Sequence, residues 1–433
     1  MDSRRFGRAY RSPEYALART REVYETYYDV KYPGHERAAG RPLRVSPAYG
    51  RLADLGAAFG EKSGWERANW FDGNDDGDES LRPHGWAGKI WSPAIGVEHR
   101  GCREAAAIFD ESSFSKIEVS GPGATAFLQW MCSNDVDRAP GAVVYTQMLN
   151  ERGGIECDVT VTRLGGKEFR VVTGTAFGRH DLAWLTANAP RDGSVEVRDV
   201  TGALACLGVW GPRARDILQP LTTSDLSNDA FPYMSARRIA VGPVPCTAVR
   251  VTYVGELGWE LYCSTEYGAR LWDTLWEAGR PHGMIAAGYR AIDSLRLEKG
   301  YRAWGTEVTP DTTPMEVGLG FAVRLDAGAD FIGRDALLRR AETSDHRLAC
   351  LVLDDPRRVV LGEEPVTVDG RIAGRVTSGG YGYTIERSIA YAWLPAADAV
   401  PGREAHVDVF GEQVTGSVAQ EPLFDPKGER IRA

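Results

Sequence analysis

The stretch Tyr145-Thr146-Gln147-Met148-Leu149-Asn150-Glu151-Arg152-Gly153-Gly154-Ile155-Glu156-Cys157-Asp158-Val159-Thr160-Val161 decides how the chain is read. An alternating strand runs into an Asn-Glu-Arg-Gly-Gly turn and then a returning strand, which is the pattern of a β-hairpin. Successive side chains of a strand point to opposite faces, so Ile155, Cys157, Val159 and Val161 share one side and Glu156, Asp158 and Thr160 the other. A carboxylate on a strand just past a Gly-rich turn is held rigidly and can be approached closely. On spacing alone, the simpler reading leaves Asp158 facing solvent.

Upstream of the hairpin, Lys116-Ile117-Glu118-Val119 leads into Ser120-Gly121-Pro122-Gly123-Ala124 and the apolar pair Phe127-Leu128. Downstream, Leu207-Gly208-Val209 leads into Trp210-Gly211-Pro212-Arg213-Ala214 and Ile217-Leu218. Both read as strand, Gly turn, Pro at the first helical position, then an amphipathic helix. This echo predicts a duplicated α/β core. The dinucleotide-binding reading of Gly121 to Ala124 is set aside, because Pro122 suits a helix start and no acidic residue follows a second strand at the required distance.

Further along, Val249 to Tyr253 and Trp259 to Cys263 predict a second hairpin around Gly255-Glu256-Leu257-Gly258, with Tyr253 and Glu260 flanking the turn from opposite strands. Leu271 to Glu277 and Tyr289 to Lys299 have helical periodicity. From Leu348 the chain reads as β: Leu348 to Leu353, Pro365 to Val368, Arg371 to Val376, Ile389 to Trp393 and His406 to Phe410, which together predict a separate small barrel or sheet domain. Before residue 85 only Glu14 to Tyr28 reads as a helix, and Asn74 to Ser80 reads as a polar boundary.

The chain has 433 residues, a length that points to about three domains. With 51 Lys plus Arg against 60 Asp plus Glu, its net charge of -9 excludes a basic nucleic-acid binder. No apolar run approaches the roughly 20 residues of a membrane span, and Ser3-Arg4-Arg5-Phe6 lacks the apolar segment of an export signal, so a cytoplasmic protein with no membrane partner is expected. The seven Cys are scattered and the seven His isolated, which predicts buried thiols with neither a disulfide framework nor a metal site. Nucleophile-elbow, P-loop and zinc-protease signatures are absent from the sequence.

Taken in order, these segments resemble the glycine-cleavage T-protein family of aminomethyltransferases, and most closely the C-terminal folate-binding half of dimethylglycine and sarcosine dehydrogenases. The resemblance rests on Tyr145 to Asp158, Tyr253 to Tyr262, Asp293-Ser294-Leu295-Arg296-Leu297-Glu298, Glu316-Val317-Gly318-Leu319, Phe331-Ile332-Gly333-Arg334 and Thr377-Ser378-Gly379-Gly380. It implies an α+β, three-domain cloverleaf around tetrahydrofolate, with a connector-like extension at 1–84, a folate-binding core of two subdomains at 85–340 and a β-barrel-like domain at 341–433. It places the catalytic carboxylate on Asp158, pterin contacts on Tyr253 and Glu260, the pocket lining on Tyr145 and Tyr301, and a basic group near the folate tail on Arg430.

There are three departures. Cys157 stands where the family usually has the first of two Asp, and Ala291-Ile292-Asp293 lacks the usual Arg, which argues against a lipoyl-carrier partner. The resemblance also implies a flavin domain that this sequence lacks. The function expected is therefore a tetrahydrofolate-dependent one-carbon transferase acting in demethylation of an N-methylated small molecule. Transfer is either direct or from an iminium or formaldehyde made by a separate flavin-dependent oxidase subunit. The alternative is a non-catalytic folate-binding protein for assembly or sensing.

Overall fold

A computed structural model describes residues 8–325 and 330–433. The hairpin forms as the sequence predicts. Val143–Leu149 pairs antiparallel with Ile155–Gly165, Gln147 stands opposite Asp158, and Gly153 takes a φ of 79° in the turn. These strands open a five-stranded antiparallel sheet that continues through Glu168–Thr173, Ser115–Ser120 and Glu196–Asp199. Helices Ala124–Met131 and Gly178–Asn188 close one face, where Phe127, Leu128 and Leu185 bury against Ile117, Val119, Cys157, Val159 and Val161.

A second sheet has six strands in the order Ser235–Val241, Val244–Arg250, Gly258–Ser264, Leu204–Trp210, Ala106–Asp110 and Met284–Ala286, of which only the last pair is parallel. Ile217 of helix Ala214–Leu218 and Leu271, Trp272 and Leu275 of helix Gly268–Gly279 pack on Leu207 and Val209. The same core takes in Leu52, Ala68 and Phe71 from helix Tyr49–Asp54 and the hairpin Ala57–Lys62/Trp65–Phe71.

The internal echo is structural, with one correction. Gly121 and Gly211 both have positive φ, and a Cβ on either would lie 2.4 Å from a backbone oxygen, so neither position accepts another residue. Their carbonyls capture the N–H groups of Ala124 and Ala214 at 3.1 and 3.0 Å. That closed turn delays each helix to Ala124 and Ala214, two residues beyond the prolines expected to start them.

The C-terminal strands close into a six-stranded barrel: His346–Leu353, Pro365–Val368, Arg371–Gly382, Arg387–Pro395, Glu404–Val409 and Glu412–Val418. The last of these was not anticipated, because Gly416 breaks its apolar alternation; a Cβ there would lie 2.6 Å from the Val352 carbonyl.

The three bodies meet around the hairpin. Val143 N–H donates to the Met234 carbonyl at 3.1 Å and Ala236 N–H to the Gly141 carbonyl at 2.7 Å, stitching the two sheets together. Leu149 and Ile155 of the hairpin bury with Leu297 of helix Tyr289–Lys299 and with Ile389 and Tyr391 of the barrel. A buried ion network reinforces this junction: Arg103 donates to Glu256 at 3.0 Å and to Glu298 at 3.2 Å, and His99 lies 3.3 Å from Glu298. No helix among the described residues is long and apolar enough to cross a membrane.

Candidate functional site

Asp158 stands at the junction of the three bodies, on the less buried face of its strand. Its Oδ1 accepts a 2.9 Å hydrogen bond from Gln147 Nε2, and the Tyr145 hydroxyl faces it from the paired strand. Burial outweighs both donors and pushes the carboxyl up to about 6, with the nearby Asp181 adding to the rise. A carboxyl so placed is ionised near neutrality yet basic enough to take a proton. Asp158 is thus half-buried and held by Gln147, not free in solvent.

Tyr145 also lines a cavity of about 590 Å³ at the seam of the two sheets, together with Asn134, Val143, Met234 and Phe321. Its ring stacks on Phe321 with centroids 6.2 Å apart. Tyr253 is within electrostatic reach of both Asp158 and Tyr145. Its ring stacks on Tyr301 at 5.7 Å and 22°, and its hydroxyl donates to the Arg302 carbonyl at 2.7 Å.

Tyr253 does not lie on a strand, as the sequence reading had it. Strand Val244–Arg250 ends earlier, and residues 251–257 form a compact connection. Thr252 Oγ1 explains this, because it accepts from the N–H groups of Val254, Gly255 and Glu256 at 3.0 to 3.3 Å and curls the chain before the next strand begins.

Glu260, opposite Val249 in the second sheet, accepts a hydrogen bond from the Tyr262 hydroxyl. A second carboxyl, Glu111, is buried beside it, and both are raised by desolvation, Glu111 further by Glu260. Lys116, also buried and depressed by desolvation, donates to the Ser112 carbonyl at 2.7 Å and offsets part of this charge. Tyr233 connects the two ends: its hydroxyl is close enough to Tyr301 and to Glu260 for both to influence it. The result is a tract of tyrosines, 145, 253, 301, 233 and 262, running between the carboxyls of Asp158 and Glu260.

Five of the six residues singled out from the sequence thus converge: Tyr145, Asp158, Tyr253, Glu260 and Tyr301. Arg430 is engaged elsewhere. Its guanidinium bonds Glu256 at 2.9 and 3.0 Å and reaches the Arg103 carbonyl, capping the buried ion network. Gln147, Tyr233, Tyr262 and Glu111 escaped the sequence reading. For Gln147 a signal existed, since it faces Asp158 once the hairpin register is written out; Glu111 carried none. Gln147 is fully buried and its Oε1 has no hydrogen-bond partner, which leaves an acceptor available beside Asp158.

Comparison with known proteins agrees with this architecture. The family model described as GCVT N-terminal domain matches residues 48–327, that of the glycine cleavage T-protein C-terminal barrel domain 346–425, and that of the FAD dependent oxidoreductase central domain 1–46. The crystal structure of the glycine cleavage system aminomethyltransferase T from Bartonella henselae superposes with a TM-score of 0.76 at 26% identity, over 89% of this chain and 99% of that one. The 4-methylaminobutanoate oxidase (formaldehyde-forming) of Paenarthrobacter nicotinovorans is 38% identical, over 100% of this chain and 52% of its own length. Mitochondrial dimethylglycine dehydrogenase of Rattus norvegicus is 36% identical, over 100% of this chain and 50% of its own. The chain spans about half the length of these last two relatives.

Proposed function

Because the chain belongs to the glycine cleavage T-protein family, we propose that it binds tetrahydrofolate in the tyrosine-lined tract and loads onto it a one-carbon unit released by oxidation of an N-methylated amine. The observation that carries this reading is the pairing of a basic, desolvated Asp158 with the stacked Tyr253 and Tyr301. The residues present fit such a ligand. A flat heterocycle with several N–H donors suits stacked aromatic rings, the buried carboxyls and the orphan acceptor Gln147 Oε1.

In this arrangement Tyr253 and Tyr301 orient the ring and Glu260 accepts from its N–H groups. Bound tetrahydrofolate supplies the nucleophilic nitrogen. Asp158, fixed by Gln147, stabilises the positive charge that builds on that nitrogen and takes its proton. The open cavity that Tyr145 lines with Met234 and Phe321 gives the ligand a way in from solvent. A flavin-dependent oxidase, as a partner or as a further part of the same polypeptide, is the source of that unit. Two relatives named as an oxidase and a dehydrogenase of methylated amines support this choice of donor.

The test is to incubate the protein with tetrahydrofolate and either formaldehyde or an N-methylated amine, with and without a flavin oxidase. Accelerated loading with formaldehyde or with the oxidase, lost in Asp158→Asn, is expected. Loading from the amine by this chain alone would favour direct transfer. Folate binding without any turnover would favour a non-catalytic binding protein, and no folate binding would overturn the reading.

A further inference from the structure

On the strand that carries Asp158, the neighbouring Cys157 turns to the opposite, buried face. Pairing with Glu168–Thr173 begins only at Thr160, so Ile155 to Val159 have an open edge on that side. Helix Gly178–Asn188 brings His180 and Asp181 against it in its first turn. One ligand-type atom from each of Cys157, His180 and Asp181 lies within 4.8 Å of the other two. His180 is pinned from both sides: Nδ1 is 2.9 Å from Asp181 Oδ1, and Nε2 is 3.0 Å from Glu156 Oε1. Asp181 is 2% exposed, and its Oδ2 is buried without a hydrogen-bond partner of normal geometry. A buried carboxylate oxygen short of a well-formed hydrogen bond is costly, and its neighbours here are the Cys157 thiol and the His180 imidazole.

We propose that Cys157, His180 and Asp181 form a binding site for a soft divalent cation of the zinc type. One thiolate, one imidazole and one carboxylate select zinc or cobalt over magnesium or calcium, which prefer oxygen alone. Metal–ligand bonds of about 2.0–2.3 Å place tetrahedral ligand atoms roughly 3.5 Å apart, so closure needs shifts of about 1 Å. Nδ1 and Oδ2 are the atoms available, while Glu156 keeps the Nε2 proton and orients the ring, as carboxylates do behind metal-bound histidines. The fourth position opens to solvent, because the His180 side chain is 41% exposed. Binding replaces the thiol proton, and the Nδ1 proton where the ring carries one there; these protons leave to solvent and no electron moves. Glu111, Cys206 and Glu260 are equally close to one another, but the buried ammonium of Lys116 beside them opposes a cation.

The test uses zinc chloride and cobalt(II) chloride on the full chain, stripped by chelation. Expected are one equivalent of zinc by elemental analysis after gel filtration, and a thiolate-to-cobalt charge-transfer band. Cys157→Ser should abolish the band, and Cys157→Ser and His180→Ala should each weaken zinc binding at least tenfold. His346→Ala, a change at an exposed histidine, should have no effect. His180 lies at the surface, so its variant keeps the test readable if Cys157→Ser misfolds. Absence of saturable binding, a bound cobalt without the charge-transfer band, or affinity unchanged in His180→Ala would each overturn the proposal. None of these readouts depends on folate.

Discussion

Gln147 and Asp158 face each other across the register of two antiparallel strands, and the amide of one holds the carboxylate of the other at 2.9 Å. The amide is fully buried, so it cannot swing away to water, and it fixes which oxygen of Asp158 remains available. Replacing Gln147 by Leu removes that restraint. Turnover with formaldehyde is expected to fall roughly tenfold or more, with a smaller effect on folate affinity; equal losses in both would mean that Gln147 acts only in binding.

Asp158→Asn separates activity from stability. The folded carboxyl is raised to about 6 from 3.8. Between those values the native state keeps a proton that the unfolded chain has lost, so Asp158 makes stability fall as pH rises through this window, and the deficit persists above it. Two units correspond to at most about 3 kcal/mol. Asp158→Asn is therefore expected to unfold a few degrees higher than the parent at pH 7.5 but not at pH 4, while turnover drops by about two to four orders of magnitude. Thermal melts at the two pH values check the first part. A variant less stable at pH 7.5 would count against the raised carboxyl.

Glu260→Gln removes one of two carboxyls that desolvation and mutual repulsion disfavour. The melting temperature at neutral pH should hold or rise. Folate affinity, read by tryptophan fluorescence, should fall by roughly 10- to 100-fold, the weight of a charge-assisted hydrogen bond.

Tyr253 combines a stacked ring with a hydroxyl bonded to the Arg302 carbonyl. Tyr253→Phe keeps the ring and should cost only a few-fold in folate affinity. Tyr253→Ala loses the stacking platform and should cost roughly tenfold or more. Similar losses in titrations of the two variants would assign the role to the hydroxyl instead.

Arg103→Leu leaves two buried carboxylates, Glu256 and Glu298, short of their cation. Breaking such a pair costs about 3–5 kcal/mol. Each carboxylate keeps one partner, Arg430 for Glu256 and His99 for Glu298. Arg430→Ala, at the partly exposed end of the same network, should cost much less. Denaturant melts of the two variants rank these effects, and an equal cost would contradict the burial difference.

Much of this is legible in the sequence. The hairpin around Gly153, the repeated strand-turn-helix and the β tail announce themselves through glycine, proline and alternation, all of them local signals. The Gly-rich turn draws notice to Asp158, but spacing alone leaves it facing solvent, and the family resemblance gives it its place in the site. What stayed hidden depends on long-range register. Tyr233 reaches Tyr301, and Glu111 reaches Glu260, only after the strands are ordered. The placing of Tyr253 in a curled connection, three residues past the strand's end at Arg250, comes from one Thr252 hydroxyl, which alternation does not register. Arg430, matched by position alone, turned out to neutralise Glu256.

Arg103 extends from helix Ala94–Glu104 to the Val254 carbonyl in the second sheet's connection, to Glu298 on the helix that meets the barrel, and toward Thr384 in the barrel itself. A single guanidinium therefore ties the second sheet's connection, the helix beside it and the barrel together. The barrel is not an interchangeable cap: a chimera that imports one from a relative inherits the fold's cohesion only if the contacts of Thr384, Glu298 and Arg103 travel with it as a set.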